Sequence, residues 1–108
     1  MIKELEDLLR LREQKVEIGS LKFVVRELTS AATLISAEEK DVHPDEASWR
    51  VFVRCVFDES GVPAFSDADI PKLKASSKWR LRPLVKAVNQ VNGFEVEDEA
   101  KNSAAAPG

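Results

Sequence analysis

The side chains that could carry chemistry in this chain are few. Cys55 is its one cysteine and His43 its one histidine. That excludes an intramolecular disulfide and a Cys/His zinc site within a single chain. A nucleophilic thiol needs exposure and nearby positive charge. Cys55 has Arg54 beside it but lies in an apolar helical pattern, so it reads as a small buried hydrophobe. His43 precedes Pro44 in a polar stretch and reads as an exposed loop residue. The acids Asp58, Glu59, Asp67 and Asp69 suggest calcium, but the D-x-D-x-D-G spacing with a closing Glu is absent. Capping of helix ends accounts for the same residues. There is no Gly-rich phosphate loop, no G-x-S-x-G, no H-E-x-x-H and no C-x-x-C. The expectation is a non-enzymatic protein without cofactor or metal, working by binding or assembly.

The remaining polar chemistry lies in the layout of charge. The formal net charge is −3 over 108 residues. From Glu27 to Asp69 there are ten acids and three bases; from Pro71 to Phe94 there are six bases and no acid. Such halves can complement each other within one chain or between copies, and internal complementarity is the simpler expectation. Within the basic section Trp79, Arg80, Arg82 and Lys86 are candidate partner-binding residues, with Phe65, the anchor of an extended linker, as a fifth. For Trp79 a place in the core competes with a role as an exposed anchor, and the core is favoured. An acidic domain counts against nucleic acid. The chain has no run near the roughly 20 apolar residues of a membrane span, and its N-terminus mixes acids with apolar residues, unlike a signal or transit peptide.

The length suits one domain over residues 1–94, with residues 95–108, acidic and then Ser-Ala-rich, as a disordered tail. Apolar residues at 2, 5, 8, 9 and 11 suggest a short amphipathic helix that must dock to persist. Residues 15–26 alternate on both sides of Gly19-Ser20, the pattern of a β-hairpin with a tight turn. Pairing Ile18 with Leu21 sets Val16 opposite Phe23 on one face. The same register sets Glu17 against Lys22 and Glu13 against Arg26 on the other. A one-residue slip loses both sets. The apolar face is expected to lie on the central helix.

Thr29 or Ser30 caps a weakly periodic helix to about Ala37, followed by a loop over 36–45. Asp45 to Asp58 reads as the central helix, with Trp49, Phe52, Val53 and Val56 on one face. Glu46–Arg50 and Arg54–Asp58 are its i,i+4 pairs. Gly61 is expected to stop this helix. Ser66 and Asp69 form a capping box for a short helix carrying Ile70 and Leu73. The last helix sets Leu81, Leu84, Val85, Val88 and Val91 on one face; Pro83 either kinks it or begins it. Asn92-Gly93 ends it, with Phe94 as a latch. The fold class is α+β, mostly α-helical, with four to five helices and one two-stranded antiparallel hairpin.

Several segments, in this order, resemble the tail assembly chaperones of long-tailed bacteriophages. Val25-Arg26-Glu27-Leu28-Thr29 follows the hairpin as in that family's entry segment. Asp58-Glu59-Ser60-Gly61-Val62-Pro63-Ala64-Phe65 matches its D-x-x-G-x-P-x-F, followed by Ser66-Asp67-Ala68-Asp69-Ile70 and Leu73. Leu84 to Asn92-Gly93, then Ala100-Lys101-Asn102-Ser103, resemble its close. The resemblance spans roughly residues 5–103 and lapses at Lys78–Pro83.

It implies a non-catalytic chaperone in the cytoplasm of a bacterial host, absent from the finished virion. The chaperone would bind the phage tape measure protein, keep it soluble and help recruit the tail tube protein. That family often makes a longer form by ribosomal frameshifting, and the opposite charge sections here would let copies self-associate along the client. The physical reading agrees: a helical client with apolar stripes would sit in apolar grooves between helices. The alternative is a small nucleic-acid-binding regulator using Lys72 to Lys86; a third is an enzyme subunit or adaptor completed by a partner.

Overall fold

A computed structural model describes residues 1–94. The expected disordered tail, 95–108, and the Ala100–Ser103 segment lie outside the described residues. The chain runs through α1 (Lys3–Leu9), β1 (Glu13–Ile18), β2 (Leu21–Arg26), α2 (Ser30–Val42), α3 (Ala47–Cys55) and β3 (Val56–Asp58). A single 3₁₀ turn (Asp67–Asp69) then leads into α4 (Ile70–Ala75) and α5 (Lys78–Asn92). The class is α+β with helix predominating. The sheet, however, has three antiparallel strands in the order β1-β2-β3, not two.

The hairpin register is the one that alternation and charge dictate. Ile18 pairs with Leu21, Val16 with Phe23, Glu17 with Lys22 and Glu13 with Arg26. Arg26 Nε donates to Glu13 Oε2 at 2.9 Å. Gly19 takes φ +61°, a conformation open to glycine, and turns the chain between the strands. The third strand was hidden in the periodicity of the central helix. Phe52 and Val56 are four apart, which suits a helix face, yet α3 ends at Cys55 and Val56 turns extended, with φ −101° and ψ 121°. Val56 and Phe57 are β-branched and aromatic, and β2 offers an open edge. They pair with Val25 and Val24. Arg54–Asp58 is therefore no helical pair. Asp58 instead organises the following turn, accepting from the Ser60 N–H at 2.8 Å and the Val62 N–H at 3.1 Å. Gly61, at φ +90°, serves that turn and not a helix end.

The hairpin packs on α5, not on the central helix. One sheet face brings Val16, Val25 and Val56 against Leu84, Ala87, Val88 and Val91. Phe52, Val53, Cys55, Ile70 and Leu73 complete the core. Phe23 is linked to α3 through Phe65: ring centroids are 6.5 Å apart for Phe23–Phe65 and 5.8 Å for Phe65–Phe52. Leu21, at the hairpin tip, is 61% exposed, contrary to its place on the apolar face. Trp49 is half-buried, edge-on to Phe52 at 5.6 Å.

Helix α2 continues to Val42, past the expected end near Ala37. Thr29 caps it, accepting from the Ala32 N–H at 3.0 Å. Ala37 to Lys40 are good helix formers, and Glu39 is anchored to α3 by Arg50 at 2.9 Å and by Arg54. A polar stretch read as loop is thus helix because tertiary ion pairs hold it. Pro83 neither starts α5 nor ends it; the helix begins five residues earlier. Its buried stripe is Leu84, Ala87, Val88 and Val91, while Val85 is exposed. Gly93, in the left-handed conformation, closes α5, and the Phe94 N–H bonds to the Asn89 carbonyl at 2.9 Å.

The N-terminal helix departs most from expectation. Helix α1 buries no residue; Ile2, Leu5, Leu8 and Leu9 all face solvent. Its predicted docking partner is absent from the described residues.

Candidate functional site

The helices enclose an apolar groove of about 620 Å³. Its walls come from α2, α3 and the C-terminal half of α5. Leu28, Ala37, Trp49, Phe52, Val85 and Phe94 supply most of its apolar lining. Each has a local cause. Ala37 is small, so α2 can stand beside α3 without filling the space. Phe52 belongs to the core stripe of α3 and forms the floor. Val85 falls just off the buried stripe of α5, at the groove's lip. Phe94 is set there by the glycine cap of α5.

Ion pairs hold the α2 wall against α3. Arg50 Nη1 donates to Glu39 Oε2 at 2.9 Å, and Arg54 Nη1 stands 2.5 Å from Glu39 Oε1 as a close ion pair. Arg54 also donates to Ser36 Oγ at 3.2 Å. The contact with Arg54 is the largest influence on the Glu39 carboxyl, holding it down to about 2; Arg50 adds to it and burial opposes it. Through Nη2 the same Arg50 guanidinium meets Glu46 at 3.3 Å, the one i,i+4 pair of the sequence reading that forms, and Lys74 meets Glu46 at 3.7 Å.

A smaller groove, about 610 Å³, lies between the hairpin tip and the start of α5, lined by Leu21, Phe23, Phe65, Arg80 and Leu81 among others.

The five candidate residues therefore divide. Arg80 and Phe65 meet at the hairpin-tip groove, where Phe65 is half-buried between Phe23 and Phe52. Trp79, Arg82 and Lys86 lie on the outer face of α5. Trp79 is 71% exposed, so the core placement favoured for it is wrong. It lies outside the buried stripe Leu84, Ala87, Val88 and Val91 of α5, and the Arg82 guanidinium covers its ring at 5.3 Å.

Charge does not cancel across the two halves of the chain. Lys78, Arg80, Arg82 and Lys86 form no ion pair with any acid among the described residues, whereas Glu39 and Glu46 are held by Arg50, Arg54 and Lys74. Among the described residues, complementarity between the two sections lies along the second half of α2, α3 and the end of α4.

Sequence reasoning missed the larger groove because it took the end of one wall, residues 38–42 with Lys40, for loop. The signal was present: Thr33, Ala37 and Lys40 recur at helical spacing, and all three line the groove.

Cys55 is fully buried, and burial is the main reason its thiol is pushed up, against the opposing contacts of Asn92 and Arg54. No cluster of three or more His, Cys, Asp or Glu among the described residues is placed to hold a metal. No described helix is long and apolar enough to cross a membrane.

The fold is thus a small helical domain wrapped on a three-stranded sheet, with an interhelical groove and a cationic helix face. It is similar to the solved structure of the bacteriophage HK97 tail assembly chaperone, at 21% identity and a TM-score of 0.52, over 84% of this chain and 100% of that one. No protein-family model matches the chain. No curated protein matches it either.

Proposed function

We propose that this protein is a tail assembly chaperone of a long-tailed bacteriophage. On this reading it binds the tape measure protein, keeps it soluble and helps recruit the tail tube protein. It acts in the cytoplasm of the bacterial host and is absent from the finished virion. The observation that carries the proposal is the likeness of its fold to the HK97 tail assembly chaperone along the whole of that chain.

The site's chemistry supports the reading. An open apolar groove between helices suits an amphipathic helix laid lengthwise, and among the described residues no metal-holding cluster competes for the role. A chaperone that must later leave should hold its client weakly at each copy and gain grip through many copies.

Co-expression tests it. The tape measure protein alone should be insoluble, and this protein should bring it into solution as a many-to-one complex. If the two do not co-purify, and the full chain instead binds duplex DNA with steep salt dependence, the nucleic-acid reading replaces this one.

A further inference from the structure

The two edges of the sheet are not alike. Past β3 the chain folds back on itself: the Asp58 N–H donates to the Val62 carbonyl at 2.8 Å, the Ala64 N–H donates to the Val56 carbonyl at 3.1 Å, and Pro63 bridges to Phe57. The edge of β1 has no such cover. Arg12 accepts from the Glu27 N–H at 2.9 Å, so the even-numbered residues of β1 turn their main-chain groups to β2, and Glu13, Lys15 and Glu17 turn theirs outward. These three residues are exposed, and their N–H and carbonyl groups find no partner among the described residues. Their side chains share the sheet face opposite to Val16, which packs toward α5. There Arg26 holds Glu13 and Lys22 stands opposite Glu17, but Lys15 stands opposite Val24 and meets no carboxylate across the hairpin.

We propose that this open edge pairs antiparallel with the same edge of a second copy, in the register that sets Val16 opposite its own counterpart. If the outward groups are to bond, such a pair must be centred on one residue. Centred on Lys15, it opposes Lys15 to Lys15 and Glu13 to Glu17; centred on Glu17, it opposes that carboxylate to itself. Centred on Gln14, it pairs Glu13 with Lys15 but sets Arg12 against Val16 and leaves the end of β1 unpaired. Centred on Val16, it opposes Lys15 to Glu17 at both ends and joins the two apolar faces. Like charges then meet only on diagonals, roughly 7–8 Å apart against about 5 Å for the opposed pairs. Each Lys15–Glu17 pair exchanges both main-chain hydrogen bonds, and two three-stranded sheets become one. Helix α5 suits the arrangement. It lies across β1 and β2, with Val85 and Asn89 on the groove side toward α2 and α3. Its opposite flank, Trp79, Pro83 and Gln90, is exposed on the side of the β1 edge. Strands about 4.8 Å apart bring two such helices to roughly 10 Å, a packing distance that covers Trp79. Arg80 and Lys86 border that flank and, being exposed, keep their charges in water.

Sedimentation of the full chain over a range of concentrations tests this, together with the variants Lys15→Glu and Glu17→Lys. The parent should pass from monomer to dimer as concentration rises. In the dimer the Lys15 and Glu17 amides, free in the monomer, should exchange more slowly. Either variant alone sets like charges against each other in both pairs and should dimerise roughly tenfold more weakly. Mixed in equal amounts, the two variants should recover the parent's affinity as a heterodimer, because each glutamate then faces a lysine. Both sites are exposed, so the circular dichroism should not change. Should Glu17→Lys loosen the hairpin against Lys22, Lys15→Glu, which faces Val24, carries the test with the amide exchange.

A chain that stays monomeric at every concentration overturns the inference, and so does a dimer whose Lys15 and Glu17 amides exchange at the monomer's rate. A folded Glu17→Lys variant that dimerises as strongly as the parent overturns the register, as does a mixture no tighter than its components. If deleting residues 1–9 abolishes the dimer while those amides exchange freely, α1 is the interface and the proposal fails. If the amides are protected only when the tape measure protein is added, the edge takes a strand of the client and the proposal fails again. The pairing does not depend on the client: co-purification with the tape measure protein reads the proposed function separately, and neither result decides the other.

Discussion

Asn92 Oδ1 accepts a hydrogen bond from the Leu28 N–H at 2.8 Å, tying the last turn of α5 to the segment that leaves the sheet for α2. The same side chain donates through Nδ2 to the Val88 carbonyl at 2.8 Å and stands 3.5 Å from Cys55 Sγ. One amide thus joins α5, the exit from β2 and the end of α3. Leu28 lines that groove, so the bond also fixes one end of the candidate site.

Replacing Asn92 by Leu leaves the part-buried Leu28 N–H without its acceptor. The expected cost is about 1–3 kcal/mol, the penalty of an unsatisfied buried donor. Urea unfolding should report it as a lower midpoint at unchanged slope. Amide exchange at Leu28 should accelerate in the same variant.

Phe52 is 3% exposed, forms the groove floor and packs against both Trp49 and Phe65. Phe52→Ala should cost on the order of 3–5 kcal/mol, much of what so small a domain possesses. Thermal unfolding decides the matter: a midpoint within a few degrees of the parent would refute the core assignment of α3.

Acid sensitivity should pass through Glu39. Its carboxyl is held at about 2 in the folded chain against an ordinary value of 4.5. A lowered folded value means that its contribution is complete above about pH 4.5 and is lost as pH falls toward about 2. Glu39→Gln should therefore be less stable than the parent at neutral pH and lose less on acidification through that window. Some acid sensitivity should remain in the variant, since the Ser60 hydroxyl and the Val62 N–H also lower the Asp58 carboxyl. Identical pH profiles for the two proteins would show that Glu39 does not anchor α2.

Helix α1 buries nothing, so deleting residues 1–9 should leave the melting temperature of the dilute chain within a degree or two. The deletion should matter only where α1 meets a partner, read as a changed sedimentation coefficient or loss of co-purification. A marked drop in stability would mean that α1 docks on its own domain.

The residues made some of this fold legible by local rules. Val16, Ile18, Leu21 and Phe23, with Glu13, Glu17, Lys22 and Arg26, admit one hairpin register, because side chains alternate with a period of two and a slip would misplace every one. Ser66 and Asp69 specify their capping box within four residues; the Ser66 N–H reaches Asp69 Oδ2 at 2.8 Å. Gly93 and Phe94 close α5 by the same kind of local bond. Of the candidate residues, Arg82 and Lys86 are exposed as their charge suggests, whereas Trp79 was given to the core and the groove was not found.

What only the tertiary structure decided were the choices that local preference leaves nearly balanced. Val56 suits the end of a helix or the start of a strand, and the open edge of β2 chose the strand. Residues 38–42 are too polar to declare a buried face, and Arg50 and Arg54, reaching across from α3, kept them helical through Glu39. Trp79 is exposed although it is the kind of residue a core would take, because Leu84, Ala87, Val88 and Val91 already fill the face that meets the sheet. The sequence by itself determined the pieces whose energies are settled within a few residues. The groove is an arrangement of three helices brought together from residues 28 to 94, and its shape depends on contacts that no local pattern encodes.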